Sequence, residues 1–521
     1  MSRITMQPGA IFGADPSADA VSGQRATDDS GPPNQQQVAQ LKVAILGDFS
    51  GRASRGQREP ENLATRPAYR LGKDNFEALF EQLGVRLQLP LMAQPLSLLE
   101  YDDLHPDYLY SRVPLFRQFI ELEKRLLRPE TFTRAAEEIR QWRPELRTTD
   151  TAGSGAGQNI AGESDAAYSG ESLLDSILAA RDCPDVNLAS PEVQVDRLIR
   201  DIVAPYVQRK PDSRQETYLQ AVRDAASEAM RKLMHQSAFR QVEASWRSVH
   251  FLLRRLEDHP GLQLHLIDVS KDEVRADFDR AGDDLEQSQL FKCLVERETA
   301  AGNRPYNVVL GDFTIADDER DLHLLVDLAT IAEAAQSALL LGGDSRLAGC
   351  PTLAASPDPD DWHYPLAHSF VDGWRAVRDY SASEYVALAG PRFMLRLPYG
   401  ADSATTDCFD FEELTPELGH QYYLWGNSAY LLALSLCDAF VRAGHAAPVE
   451  AASFDSLPLH LRELPQGRWM TPCAEALLSD RAAARFSAVG ISTLRSVQGR
   501  DQIVLPKLQS LAGTRLRGPW G

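Results

Sequence analysis

One run of residues constrains this chain more than any other. Residues 144–178 begin with Pro144-Glu145-Leu146 and pass through Thr148-Thr149-Asp150-Thr151-Ala152-Gly153-Ser154-Gly155-Ala156-Gly157. They reach Gly170-Glu171-Ser172, where a short apolar pattern starts with Leu173 and Leu174. A segment so rich in Gly, Ser and Thr buries too little apolar surface to offset the entropy of ordering it, so it reads as a flexible linker. It divides the chain into two unequal parts, each with its own apolar runs and helical patterns.

A chain of 521 residues exceeds one ordinary domain, and roughly two to four are expected. The net charge of −20 argues against a general nucleic-acid binder, which would carry a basic face. The six cysteines (Cys183, Cys293, Cys350, Cys408, Cys437 and Cys473) are scattered with no C-x-x-C pair, and read as reduced, mostly buried thiols of a cytoplasmic protein. No apolar run approaches the roughly 18 residues that span a bilayer, so no membrane insertion is expected. The N-terminus lacks the apolar core of a secretory signal. Residues 1–40, rich in Gln, Pro, Ser, Asp and Gly, read as a disordered tail.

The first part, 41–143, reads as a small α/β unit. Leu41-Lys42-Val43-Ala44-Ile45-Leu46 is a strand by its apolar, β-branched content, ending in a turn at Gly47-Asp48-Phe49-Ser50-Gly51-Arg52. That turn fits neither G-x-x-x-x-G-K-[ST] nor G-x-G-x-x-G, so it reads as a strand end and not a phosphate loop. Phe76, Leu79, Phe80 and Leu83 share one helix face. Val85–Leu89 and Leu96–Tyr101 read as strands. His105, with no second ligand at a fitting spacing, reads as a turn residue. Val113-Pro114 opens a helix with Phe116, Phe119, Ile120 and Leu127 at helical spacing. A last helix carries Phe132, Ala135, Ala136 and Ile139.

The second part, 172–521, starts where Ser172 is placed to cap a helix with Leu173, Leu174, Ile177 and Leu178 on one stripe. That helix is either a packing element or a recognition peptide for a partner's groove. Long helices are expected over 214–235 and 238–256, and a strand over Leu262–Val269. Ser270 and Glu273 form a capping box. Tyr306–Phe313 reads as strand then turn and echoes the first part, Val309-Leu310-Gly311-Asp312-Phe313 against Ile45-Leu46-Gly47-Asp48-Phe49. A helix at 321–335 and an apolar run at 338–341 complete a β-α-β order, which predicts a mostly parallel sheet with helices packed on it. Arg392–Gly400 reads as strand then turn, and Tyr423–Asn427 leads into an apolar core helix through Phe440.

Taken together, Leu41–Arg52, Asp74-Asn75-Phe76, Leu104-His105-Pro106-Asp107 and Val113-Pro114 resemble the small sheath subunit of bacterial type VI secretion systems. The second part is similar to the large sheath subunit of the same machine, through Leu173–Leu178, Phe239–Trp246, Val269–Glu273, Tyr306–Phe313, Pro391–Gly400, Tyr423–Asn427 and Ser479-Asp480-Arg481. The resemblance implies a mixed α/β (α+β) contractile-sheath core, a small α/β unit fused to a larger α/β domain with long helices. Its divisions are a tail at 1–40, a small-subunit-like domain at 41–143, a linker at 144–171 and a large-subunit-like domain at 172–521. It implies a non-enzymatic structural part of a contractile injection apparatus, a fused protomer, with no cofactor, catalytic residue or metal site. The implied partners are other sheath subunits or copies of itself, the inner tube protein, the baseplate, and an AAA+ ATPase that recycles contracted sheath. That ATPase's recognition helix matches Leu173, Leu174, Ile177 and Leu178. The family's small subunit has a strand before the position of Leu41, and its large subunit continues past the Ser479-Asp480-Arg481 region. Both pieces link neighbours, and this sequence lacks them, so the alternative expectation is an accessory or capping protein that binds a sheath end, baseplate or tube without polymerising. No G-x-S-x-G, H-E-x-x-H or Walker A sequence points to an enzyme.

Overall fold

The strand that opens the first part lies at the centre of a sheet built mainly from the second. In the computed structural model, which describes residues 40–141, 214–356, 358–415, 418–444, 449, 451–464 and 467–520, Leu41–Gly47 (β1) pairs in parallel on both edges. On one side it runs beside Leu262–Asp268 (β3), from Leu41↔Leu262 to Gly47↔Asp268. On the other it meets Val308–Ile315 (β4), from Val43↔Val308 to Leu46↔Gly311. Tyr69–Leu71 (β2) adds to the outer edge of β3 and is the antiparallel member. Ala338–Gly343 (β5), Val386–Gly390 (β6) and Ile491–Thr493 (β7) extend the other side, giving the order β7-β6-β5-β4-β1-β3-β2. The described residues belong to one compact unit, Ala39–Gly521.

Strand periodicity assigns the two faces. Leu41, Val43 and Ile45 point into one core, and Ala44 and Leu46 into another. Leu340 and Leu339, and Ala387 and Leu388, divide in the same way. A parallel strand covered on both faces has a nearly continuous apolar sequence, and β1 and β5 have one. The first core is closed by Phe76–Leu83 (α1), Pro106–Arg112 (α2), Pro114–Leu127 (α3), Pro129–Gln141 (α4), Arg214–Met234 (α5), Ser237–Arg255 (α6) and Ala429–Ala443 (α10). The second is closed by Lys271–Ala281 (α7), Glu319–Ala335 (α8), His368–Arg378 (α9) and Asp480–Ala488 (α11). The result is a mixed α/β architecture with helices on both faces of a mostly parallel sheet.

Several expectations change. The linker at 144–171 and the helix expected from Ser172 lie outside the described residues. Among the described residues, the small unit expected over 41–143 has one sheet of its own, the two-residue ladder Arg86–Leu87 with Leu96–Ser97. Its main strand belongs to the common sheet. Tyr101–Leu104 is a 3-10 turn and not the end of a strand. The Gly311-Asp312-Phe313 segment does not turn: β4 runs on to Ile315, with a register shift between Leu310 and Thr314. Arg392–Gly400 contributes only Phe393–Met394, paired with Trp425–Gly426. Leu127 is 53% exposed, and Leu122 and Leu126 take the buried face of α3 instead. The capping box at Ser270–Glu273, the long helices and the buried helix α10 are as the sequence indicates.

Ile45 is fully buried in the strand that the two parts share. Ile45→Ala should destabilise the protein by about 2–5 kcal/mol. Because both cores lean on β1, denaturant unfolding should stay a single transition. Two well-separated transitions would mean that 41–143 and the remainder fold independently.

Candidate functional site

The residues singled out as a partner-binding helix, Leu173, Leu174, Ile177 and Leu178, lie outside the described residues. His105 is the N-cap of α2, where its Nδ1 accepts from the Asp107 backbone N–H at 3.2 Å. The Gly47–Arg52 turn ends β1 as a turn should, but it also fastens the two parts of the chain together.

This seam is built from short polar contacts at the carboxyl ends of β1 and β3. The Asp48 carboxylate accepts from the backbone N–H groups of Arg52 (2.6 Å) and Ala53 (2.9 Å), which folds the turn back on itself. Asp268, at the end of β3, accepts from the Phe49 and Ser50 N–H groups at 2.8 and 3.0 Å and from Ser50 Oγ at 2.8 Å. From α6, Trp246 Nε1 donates to Phe49 O at 2.8 Å. Its ring also packs against Phe49, Phe76 and Phe80.

Glu273 is the ionic centre of the seam. Its backbone N–H donates to Ser270 Oγ at 3.2 Å, and its Oε2 accepts from the Ser270 N–H at 3.1 Å. The same carboxylate takes Arg52 Nε and Nη2 (3.0 and 2.9 Å), Arg66 Nη2 (3.1 Å) and the Glu59 N–H (3.1 Å). Burial alone would raise the Glu273 carboxyl, but hydrogen bonds from Arg52, Arg66 and Ser270 outweigh it and hold it at about 2. The capping box is legible because its partners are three residues apart. The two arginines lie about 200 residues earlier, and no local pattern connects them to Glu273.

A second feature is an open groove of about 770 Å³ between the loop from Pro398 to Thr415 and the hairpin His460–Leu464/Gly467–Thr471. A buried ion network adjoins it through Tyr399, which lines the groove and whose N–H donates to Glu413 Oε2 at 2.9 Å. Arg396 bridges Glu243 (Nε to Oε1, 2.7 Å) and Glu413 (Nη1 to Oε2, 2.6 Å), and Arg247 Nε meets Glu243 Oε1 at 2.7 Å. Burial would raise the Glu243 carboxyl, but Arg396 and Arg247 bring it to about 2. The hairpin is anchored by the Tyr423 hydroxyl, 2.7 Å from His460 Nδ1 and 3.0 Å from Thr471 Oγ1. Burial lowers the His460 imidazole to about 4, so it is neutral at physiological pH. Leu461 is 60% exposed and Trp469 58%, on opposite faces of the hairpin, because Leu461 pairs with Met470 and Trp469 with Arg462.

Glu273→Gln should cost about 3–5 kcal/mol near neutral pH, because it removes the anion from two buried guanidinium groups. The wild-type carboxyl titrates below its unfolded value of 4.5. Its contribution is therefore complete above that value and is lost as pH falls towards about 2. The deficit of the variant should narrow over that range in denaturant midpoints, and a deficit constant with pH would contradict this account.

Comparison with known proteins gives this architecture a family. The model of the family described as VipB: EvpB/VC_A0108, tail sheath N-terminal domain, matches residues 216–512. The chain is also similar to the type VI secretion system sheath protein TssC1 of Pseudomonas aeruginosa, 29% identical over 286 residues. That alignment covers 54% of this chain, and the chain spans 57% of the relative's length. A match over more than half of its residues, on a sheet whose strands β3 to β7 all fall within it, places the chain in the VipB tail-sheath N-terminal domain family.

Proposed function

We propose that the chain is a fused sheath-type protomer of a bacterial type VI secretion apparatus, a structural and non-enzymatic component that works in the cytoplasm. One observation carries the reading. The family match begins at residue 216, yet the strand between β3 and β4 is β1, from residues 41–47. The matched region alone would leave the inner edges of two parallel strands unpaired, an arrangement that calls for a strand from elsewhere. The stretch 41–143 supplies that strand, as a separate small subunit would in a two-chain sheath. Covalent linkage fixes the stoichiometry at one to one and raises the effective concentration of each part for the other.

On this reading the partners are other sheath subunits or further copies of the chain, an inner tube protein, a baseplate, and an AAA+ ATPase that recycles contracted sheath. Leu173, Leu174, Ile177 and Leu178 are the residues proposed for the ATPase.

Electron microscopy of the purified protein should reveal tubes or rings, alone or after mixing with separate sheath subunits. Monomers under every condition would sink the protomer reading and leave the end-binding, capping role. Changing Leu174 and Ile177 to Asp together should abolish capture of the ATPase in a pull-down, and undiminished capture would remove those residues from the proposal. Cleavage at a protease site engineered near Gly155 should leave both fragments co-eluting until denaturant is added. Separation in native buffer would show that the parts do not share a core.

A further inference from the structure

We propose that Asp312 takes up a proton under mildly acidic conditions, and that this proton latches the seam between β1 and β4. The geometry of Ser245 points to it. Ser245 Oγ lies 2.9 Å from the Gln241 carbonyl oxygen and 2.6 Å from Asp312 Oδ2. A hydroxyl has one hydrogen, and with Asp312 ionised both neighbours would be acceptors competing for it. With the proton on Asp312, each contact has its own hydrogen: Ser245 donates to Gln241, and Asp312 donates to Ser245.

Among the described residues, no cation is paired with the charged form. Asn427 donates Nδ2 to Phe313 O at 3.1 Å and also hydrogen-bonds Asp312 through its amide. From α10, the fully buried Tyr430 hydroxyl has no hydrogen-bond partner among the described residues, and it feels the Asp312 carboxyl as its charged neighbour. The charged group acting on Asp312 is another acid, Asp48, which in turn neighbours Asp268. Arg52 and Arg55 from the turn act on Asp48 and Asp268 instead. Burial first, and then the Asp48 charge, push the Asp312 carboxyl up to about 6, against the hydrogen bonds that Ser245 and Asn427 offer its ionised form.

Its position gives the proton a mechanical meaning. Leu46 pairs with Gly311, and a Cβ on Gly47 would stand 3.2 Å from Asp312 Cβ. Ionising Asp312 places a negative charge against the turn that carries Asp48, at the joint between the two parts of the chain. The folded-state value lies above the unfolded 3.8. The stabilising contribution is therefore whole below that value and is lost as pH rises through about 6.

The test uses the full chain with Asp312→Asn and, as control, Asp327→Asn, since burial also raises Asp327 to about 6. Between pH 5 and 8 the folding constant of the wild type should fall about tenfold relative to Asp312→Asn. Asp327→Asn should keep that Asp312-dependent fall. Amide exchange of residues 43–50, corrected for the intrinsic rate, should speed up over this range in the wild type and not in Asp312→Asn. Parallel wild-type and Asp312→Asn profiles would overturn the proposal, as would a fall abolished by Asp327→Asn alone. Should Asp312→Asn fail to fold, the infrared carboxylic-acid band of native Asp327→Asn decides. A band lost with a midpoint near pH 6 supports the proposal, and its absence at pH 5 overturns it.

Discussion

A parallel strand in the middle of a sheet must satisfy backbone groups on both edges. Leu41–Gly47 meets that requirement only with strands from 262–268 and 308–315. Much of the rest follows. The helices of 41–143 can cover one face only because β1 fixes where they enter it. The helices after β3 and β4 cover the other because a right-handed crossover from each parallel strand brings them there. Trp246, fully buried on α6, touches α1 and the turn after β1, so one side chain reads the position of both parts.

The buried charges divide into two kinds. Glu243 and Glu273 are each held by two guanidinium groups, and both are pulled to about 2. Such groups add little net stability over an apolar alternative, but they are severe against misplacement, because an unpaired buried charge costs several kcal/mol. They therefore fix register: the Arg52/Arg66 loop has one place to sit on α7, and the 396–413 loop one place to sit on α6. Asp48 and Asp268 at strand ends, and Asp312 within β4, are held instead by backbone N–H groups, hydroxyls or an amide, and their values are raised. They tolerate neutral partners because they can take up a proton.

Local patterns in the sequence reached as far as local physics does. The β1 run, the long helices and the capping box at Ser270–Glu273 are set by residues within a few positions of one another, and all were legible. The β-α-β order predicted a mostly parallel sheet, but not that the first strand would be inserted between the third and the fourth. Strand order depends on contacts across hundreds of residues, and periodicity carries no such information. Gly311-Asp312-Phe313 misled for the same reason. The triplet ends a strand at Gly47, but β4 continues because β5 lies alongside it, with Leu341 Cδ2 where a Cβ on Gly311 would stand 2.5 Å away. Among candidate functional residues, the groove and the ion network beside it were missed, since Glu243, Arg396 and Glu413 carry no motif. The leucine stripe at 173–178, which amphipathic spacing suggests, lies outside the described residues.

Inserting a strand between two others is a demanding assembly step when the strand arrives on a separate chain. Both edges of the gap must wait unpaired, and exposed parallel edges invite the wrong partner. Placing β1 on the same chain changes the order of events without changing the contacts. The closure entropy of a long loop grows only with the logarithm of its length, about 0.6 kcal/mol per doubling. A longer tether therefore adds little to what a short one would cost. In return β1 meets its gap as an intramolecular partner. The Glu273 and Asp268 contacts can then close on Arg52, Arg66 and Ser50 as the strand docks, so the step most exposed to mispairing is also the one most strongly favoured by the connectivity.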